Sequence, residues 1–225
     1  MATIVAYDLG RIAYDEAYAI QCKTVRELQN GSGDEAFFLL EHPHVITRGR
    51  NASTDAVRAS ASGLYGRGVE LTETDRGGDV TYHGPGQLVG YPIIRLLEGR
   101  RDVRRYVSDI EDVVIRTLSD FSIEGTRHPV HRGVWVSGRK IASVGIRIAR
   151  WVTSHGFALN VATDLSYFQL IHPCGIEGCE MTSIERETGS RVDMKTVKRL
   201  VANHFADVFD RAVEFDTMQE STSNA

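Results

Sequence analysis

The chain has 225 residues, of which 42% are hydrophobic and 25% are charged, and its formal net charge is −4. This composition is typical of a folded globular protein, and the negative charge argues against a general nucleic-acid or membrane-surface binder. Three cysteines cannot all pair, no leader-like stretch precedes Thr3, and no apolar run approaches the ~18 residues of a spanning helix. We therefore expect a cytoplasmic protein.

The first third of the chain is predicted to alternate strands with one helix. Apolar spacing predicts a strand at 3–9, an amphipathic helix at 12–28 and a buried strand at 35–42. Residues 51–68 are small and polar, which indicates a surface loop or short helix. Another strand is predicted at 69–74.

Residues 76–87, Arg-Gly-Gly-Asp-Val-Thr-Tyr-His-Gly-Pro-Gly-Gln, form a glycine-rich segment. Glycine allows positive φ and lets a ligand approach backbone N–H groups closely, so we expect a binding loop. Neither a Walker A loop nor a dinucleotide fingerprint is present. The alternative is a hairpin in which the glycines serve only the turn. His83 either donates a hydrogen bond to a substrate carbonyl or is structural.

The rest of the chain predicts four strands and three helices. In chain order they lie at 88–96, 103–121, 133–136, 139–151, 152–161, 165–170 and 193–209. Pro92 is expected near an edge or a bulge because proline lacks an N–H. The apolar stripe of 103–121 is expected to pack as core on a sheet.

No repeat, linker or change of composition divides the sequence. Strands and helices are intermixed, with hairpin-like neighbours in the middle, which favours one α+β (mixed α/β) domain around a mixed sheet. We expect this domain to span 1–216 and the polar stretch 217–225 to be a disordered tail.

Cys174 and Lys140 are the candidate nucleophile and base. A thiol attacks as the thiolate, and a nearby cation favours that form. The chain has twenty-two arginines and four lysines, so a lysine at the start of a strand-like run is unusual here. An amine can release a proton in a partly desolvated site, whereas a guanidinium cannot. The alternative is a solvated turn lysine and a small buried cysteine.

Two other functions for Cys174 stay open on residue types alone. His172, Cys174 and Cys179 are potential metal ligands, but a fourth ligand and a C-x2-C pair are both missing. A cysteine hydrolase that pairs Cys174 with a histidine such as His83 or His155 is the stronger rival.

Four motifs together resemble the lipoyl/octanoyl transferase B family. They are Arg76-Gly-Gly-Asp-Val-Thr-Tyr-His-Gly-Pro-Gly-Gln-Leu88, Gly138-Arg-Lys-Ile-Ala-Ser-Val-Gly145, His155-Gly-Phe-Ala-Leu-Asn-Val161 and Pro173-Cys-Gly-Ile176. The resemblance extends over about residues 35–185 and implies the fold of the biotin and lipoate protein ligases.

The resemblance also implies the reaction, in which an octanoyl (or lipoyl) group passes from acyl carrier protein to a lysine of lipoyl domains. These belong to 2-oxoacid dehydrogenase complexes and the glycine cleavage H protein. Because the donor is a thioester, no ATP, metal or other cofactor is expected. The expected protein is a monomer that binds no nucleic acid and no membrane. An ATP-dependent lipoate-protein ligase and a non-catalytic acyl-binding module are the alternatives.

The resemblance implies site residues position by position. Cys174 is the acyl-thioester nucleophile, and Lys140 lowers its pKa and acts as general acid and base. The acyl-binding residues are Arg76, Gly77, Gly78, Asp79, Val80, Thr81, Tyr82, His83, Ser143, Val144, Gly145, Gly156, Phe157 and Ala158. The small residues within 143–145 and 156–158 leave room for a tunnel wall, although a packed sheet also uses glycine at bulges.

Overall fold

An eight-stranded mixed sheet lies at the centre of the computed structural model, which describes residues 3–172 and 178–216. Its strands, in spatial order, are β11 (Ala212–Asp216), β1 (Thr3–Arg11), β2 (Ala36–Glu41), β6 (Gln87–Ile93), β10 (Val152–Asn160), β9 (Arg139–Ala149), β8 (Val134–Val136) and β7 (Thr126–Arg127). Strand β1 is parallel to both of its neighbours, and the other pairs are antiparallel. The predicted mixed sheet and fold class are confirmed.

Helices cover both faces of this sheet. Helix α1 (Tyr14–Asn30) packs on one face, and α3 (Val103–Ser119) and α5 (Met194–Phe209) pack together on the other. Along β2, Phe37 contributes to the core on the α3 and α5 face, whereas Phe38 contributes to the core under α1. Both faces of β2 are therefore covered, which explains why its sequence is a continuous apolar run.

The helix ends follow from capping residues. The Asp102 side chain accepts the N–H groups of Arg104 and Arg105 at the start of α3. At the start of α5, Asp193 does the same for Lys195 and Thr196. These contacts satisfy backbone donors that have no partner inside the helix. The predicted helices at 103–121 and 193–209 are confirmed to within two residues at each end.

A second sheet of three strands holds the glycine-rich segment. Strand β3 (Val45–Arg48) lies between β4 (Glu70–Glu73) and β5 (Val80–His83). A 3-10 turn at Thr54–Ala56 and helix α2 (Ala61–Gly66) occupy the predicted loop region. A second 3-10 turn, Leu165–Leu170, and α4 (Ile184–Thr188) complete the elements of the described residues.

The hairpin alternative for the glycine-rich segment is wrong. Strands β4 and β5 flank β3 on opposite sides, so residues 74–79 cross over β3 instead of turning between paired strands. Strands β5 and β6 belong to different sheets, so the glycines after His83 join the two sheets.

Pro92 lies in an interior strand, not at an edge. Strand β6 pairs with β2 on one side and with β10 on the other. The ladder to β10 is interrupted between the Gly90–Phe157 and Arg95–Val152 pairs, and His155 lies in this gap with φ of 56°. A proline is tolerated here because the ladder is already broken.

One edge of β9 is only partly covered. Strand β9 has eleven residues and β8 has three, and the pairing of β8 with β9 ends at Ala142. Beyond Ala142, no strand of the described chain pairs with this edge. Instead the glycine-rich segment approaches it, and the Gly77 N–H donates to the Ile146 carbonyl at 2.8 Å. The short β8 therefore leaves space at the edge of the sheet.

Within the described ranges, no helix combines the length and the hydropathy needed to cross a membrane.

Candidate functional site

A cavity of about 690 Å³ lies along this open edge of β9. Its walls are the glycine-rich segment, the second half of β9 and the facing part of β10. Thirteen of the fourteen acyl-binding residues implied by the family resemblance line it, namely Arg76, Gly77, Gly78, Asp79, Val80, Thr81, His83, Ser143, Val144, Gly145, Gly156, Phe157 and Ala158. Three segments distant in sequence thus form one pocket.

Tyr82 is the exception and does not line this cavity. Successive side chains of a strand point to opposite faces, and Tyr82 lies between Thr81 and His83 on β5. Its ring packs edge-on against Phe168, and its hydroxyl is 2.7 Å from His44 Nδ1. The structure therefore does not bring Tyr82 together with the other thirteen residues, because its side chain belongs to the core of the small sheet.

Arg76 holds the start of the glycine-rich segment against β3. Its guanidinium donates to the Thr47 carbonyl at 2.8 Å and to the Thr47 hydroxyl at 2.9 Å. A Cβ atom at Gly49 would lie 2.4 Å from the Gly78 carbonyl oxygen and 2.7 Å from Arg76 Nη1, so only glycine fits beside the guanidinium. Arg76 is 7% exposed, and this binding shapes the cavity wall.

A triplet of polar side chains, Asp75, Arg147 and His155, joins two walls of the cavity. His155 Nε2 donates to Asp75 Oδ1 at 2.8 Å, and Arg147 Nη1 is 3.2 Å from Asp75 Oδ2. Burial alone would raise the pKa of Asp75, but the contacts with His155 and Arg147 outweigh it and the pKa is lowered. Burial lowers the pKa of His155 despite the carboxylate, so the ring is neutral and carries its proton on Nε2. The triplet fixes the residues that directly precede Arg76 and Gly156.

His42 lies beside the cavity in a buried polar cluster. Its Nδ1 is 2.8 Å from the Ile12 carbonyl, which can only accept, so this nitrogen carries the proton. Its Nε2 therefore accepts the Tyr91 hydroxyl at 2.9 Å. Burial lowers the pKa of His42 to about 4, and burial also raises that of Tyr91. Both rings are neutral near pH 7.

Lys140 is a buried residue of β9. Its side chain is 1% exposed, and its ammonium lies 5.4 Å from the centre of the Trp135 ring. The backbone N–H of Lys140 donates to the Glu180 carbonyl at 2.8 Å, and its backbone carbonyl accepts the Thr182 N–H at 2.9 Å. The solvated-turn alternative for Lys140 is therefore wrong. Lys140 itself does not line the 690 Å³ cavity, whose wall on β9 begins three residues later at Ser143.

Cys174 lies outside the described residues. The chain is described up to His172, whose N–H donates to the Ala56 carbonyl at 2.8 Å, and again from Gly178. His83 and His155, the histidine partners of the hydrolase alternative, both line the cavity. The other two cysteines, Cys22 and Cys179, are partly buried and form no disulfide within the described ranges. Those ranges also hold no group of three or more His, Cys, Asp or Glu side chains suited to a metal ion.

Several cavity residues were not identified from the sequence. Tyr14 and Tyr91 line the polar side, and Val103 and Val107, at the start of α3, line the apolar side. The stripe of α3 was interpreted as core alone, and helical periodicity cannot separate a residue that faces the core from one that faces a cavity. Among these residues, only Asp75 has a sequence feature that indicates a place in the cavity wall, because it directly precedes the glycine-rich segment.

Residues 13–206 match the lipoyl protein ligase A/B catalytic domain. An octanoyltransferase from Myxococcus xanthus is 47% identical over 216 residues, a match that covers 93% of this chain and 60% of that protein. This chain thus spans less than two thirds of that relative's length. An octanoyltransferase from Solibacter usitatus is 50% identical over 202 residues, covering 90% of this chain and 91% of that protein.

Solved structures show the same fold at low identity. A bipartite lipoate protein ligase from Thermoplasma acidophilum superposes with a TM-score of 0.75 at 12% identity, covering 98% of this chain and 89% of that one. A lipoate-protein ligase A bound with ATP gives 0.76 at 11% identity, covering 97% and 90%. The predicted ligase-like fold is confirmed.

The low pKa of His42 makes the stability of the fold depend on pH. The unfolded chain takes up a proton on this residue near pH 6.5, whereas the folded protein does so only near pH 4. The free energy of unfolding therefore decreases as the pH falls through this window. Protonation of His42 in the unfolded chain accounts for about 3 kcal/mol of this decrease at pH 4. We expect the free energy of unfolding of His42→Gln, measured with urea between pH 8 and pH 4, to fall less steeply than that of the wild type.

The value at pH 8 is the internal reference, because there the histidine is neutral in both states. Equal slopes for the two proteins would contradict the assignment of a buried neutral His42.

Proposed function

The chain belongs to the octanoyltransferases, acyltransferases that share the lipoyl protein ligase A/B catalytic domain, and on that basis we propose that it transfers an octanoyl group from acyl carrier protein to a lysine of lipoyl domains. The observation that carries the proposal is a buried lysine, Lys140, on the strand that forms the cavity wall. Between its transfer from the carrier protein and its transfer to the lysine, the acyl group is held by Cys174 as a thioester.

The backbone around Lys140 supports its pairing with Cys174. Residues Glu180 to Thr182 lie beside Lys140 in the manner of a parallel strand. They contact the first residues of β9, since the pairing of β10 with β9 stops at Ala142. Cys174 is six residues before Glu180 and two after His172, which is itself held to Ala56. At about 3.5 Å per residue, this short segment can bring the sulfur to the ammonium. A thiolate next to a buried ammonium would compensate part of the cost of removing that charge from water.

The first half of the reaction exchanges one thioester for another. The Cys174 thiolate attacks the octanoyl carbonyl carbon, and the carbon–sulfur bond to the carrier's phosphopantetheine breaks. The leaving thiolate takes a proton from the Lys140 ammonium. The bond made and the bond broken are of one kind, so this step is nearly neutral in free energy and needs no ATP and no metal.

The second half forms an amide. The amine of the acceptor lysine attacks the Cys174 thioester and gives a proton to the neutral Lys140, a contribution typically worth 10²–10⁴-fold in rate. The Cys174 thiolate leaves and is again stabilised by the Lys140 ammonium. The enzyme returns to its initial state with all protons accounted for.

The cavity offers an apolar surface for the octanoyl chain. On one side it is lined by Val103, Val107, Val144, Ile146 and Phe157. Burial of a methylene group contributes about 0.8 kcal/mol, so an eight-carbon chain gains several kcal/mol here.

Arginines surround the same cavity and favour acidic protein partners. Arg50 and Arg132 are exposed, and Arg147 is partly exposed beside Asp75. Such a positive rim attracts an acidic carrier or lipoyl domain and speeds their encounter. The proposed setting is the cytoplasm.

The acyl-enzyme is the direct test of the proposed function. After incubation with octanoyl acyl carrier protein and without ATP, intact-mass spectrometry should show one octanoyl adduct, and peptide mapping should place it on Cys174. Cys179→Ala and Cys22→Ala are the matched controls and should still form the adduct. An equal adduct on Cys174→Ala, or a strict need for ATP as in a lipoate-protein ligase, would refute the proposal.

Lys140→Arg separates charge from proton transfer. The guanidinium keeps the positive charge but does not release a proton at neutral pH. We expect the variant to lose at least about 100-fold in the turnover that forms octanoylated lipoyl domain. Near-normal turnover would mean that another group transfers the proton. Because the site is buried, a thermal melt should accompany the assay, and Lys140→Met provides a variant of similar length without the charge.

A further inference from the structure

A chain of side-chain hydrogen bonds runs from the segment beside Lys140 to His83. Asn160 Nδ2 donates to the Thr182 carbonyl at 3.0 Å, and a carbonyl can only accept, so the orientation of the Asn160 amide is fixed. Asn160 Oδ1 then accepts Gln87 Nε2 at 3.0 Å, and the same Nε2 donates to the Tyr82 carbonyl at 3.2 Å. This orientation leaves Gln87 Oε1 facing His83 Nδ1 at 2.8 Å.

The chain of bonds fixes the tautomer of His83. Gln87 Oε1 is an acceptor, so His83 Nδ1 must carry a proton. Burial lowers the pKa of His83 well below its ordinary value, so the ring is neutral and holds only that one proton. Nε2 therefore presents a lone pair. No residue of the described chain hydrogen-bonds to this nitrogen, and His83 lines the cavity while 6% exposed.

In this tautomer His83 has no free N–H with which to donate to a substrate carbonyl. The only N–H of the ring is taken by Gln87, and Nε2 can only accept. A thioester offers a carbonyl oxygen and a sulfur at its reacting atoms, and both of these are acceptors as well. The thioester substrate of the first half-reaction therefore offers His83 no donor at its reacting atoms. The attacking amine of the second half-reaction has N–H groups.

We propose that His83 Nε2 accepts a hydrogen bond from the amine of the incoming lysine and so directs the lone pair of that amine at the Cys174 thioester. The inference rests on the proposed function and adds a residue specific to its second half. One N–H of the amine stays bonded to His83, while the proton that is lost passes to Lys140. Thr182 serves both groups, since its N–H donates to the Lys140 carbonyl and its own carbonyl starts the chain to His83.

The test measures the two half-reactions separately by rapid quench and mass spectrometry. For His83→Ala, which also removes part of the cavity wall, we expect the rate of Cys174 acylation by octanoyl acyl carrier protein to fall by up to about threefold. Transfer from isolated octanoyl-enzyme to a lipoyl domain should fall about tenfold to hundredfold, since orientation of the amine is lost. Added imidazole should restore part of the transfer rate.

Tyr82→Phe is the matched control, because Tyr82 neighbours His83 but faces the opposite side of β5. We expect it to leave both rates within about twofold. Gln87→Leu removes the acceptor that keeps the proton on His83 Nδ1 but leaves the imidazole ring in place. We expect this variant to slow only the transfer step, and by less than His83→Ala does.

Three results would overturn the inference. They are normal transfer by His83→Ala, an equal loss of both half-reactions without rescue by imidazole, and a loss only of hydrolysis to free octanoate, which would mean that His83 binds water. If the wild type formed no Cys174 adduct, the proposed function itself would fail. If the adduct formed and His83→Ala transferred it normally, only the role of His83 would fail.

Discussion

Burial of the Lys140 ammonium is the constraint on which the account of the site depends. An ion removed from water is costly unless hydrogen bonds and opposite charge surround it, and Lys140 is 1% exposed within a β-strand. The fold holds this residue on two sides, with Trp135 under the ammonium and the backbone of Glu180 and Thr182 beside the peptide group. A buried lysine contributes less to stability than a well-packed apolar residue of similar volume would.

The cavity follows from the unequal lengths of two neighbouring strands. Because β8 stops where β9 continues, the glycine-rich segment can approach the sheet edge, and the Gly77–Ile146 hydrogen bond takes the place of a strand ladder. Arg76 then secures this segment to β3, and Asp75 secures it to His155 of β10. Arg76 and His155 are the buried members of these contacts, and they join the glycine-rich segment to two different strands.

Much of this architecture could be predicted from the sequence, and the failures have physical causes. The buried run of β2 and the stripe of α3 were identified because hydrophobic periodicity reports burial directly. Strand β11 was missed because it is a largely exposed edge strand with little apolar signal, and β3 because its four residues are too few to show a period. Motif resemblance found the cavity walls but included Tyr82, because a contiguous motif ignores the alternation of side chains along a strand. The tautomer of His83 depends on Gln87, Asn160 and Thr182, which only the folded chain brings together.

The reactivity of Cys174 as a function of pH measures the central claim most directly. The rate of alkylation of this thiol by iodoacetamide, followed by peptide mass spectrometry, reports the thiolate fraction. If Lys140 stabilises the thiolate, the rate in the wild type should rise with a midpoint below the ordinary thiol value of about 8.5, and Lys140→Met should move that midpoint upward. Identical profiles for the two proteins would contradict the account.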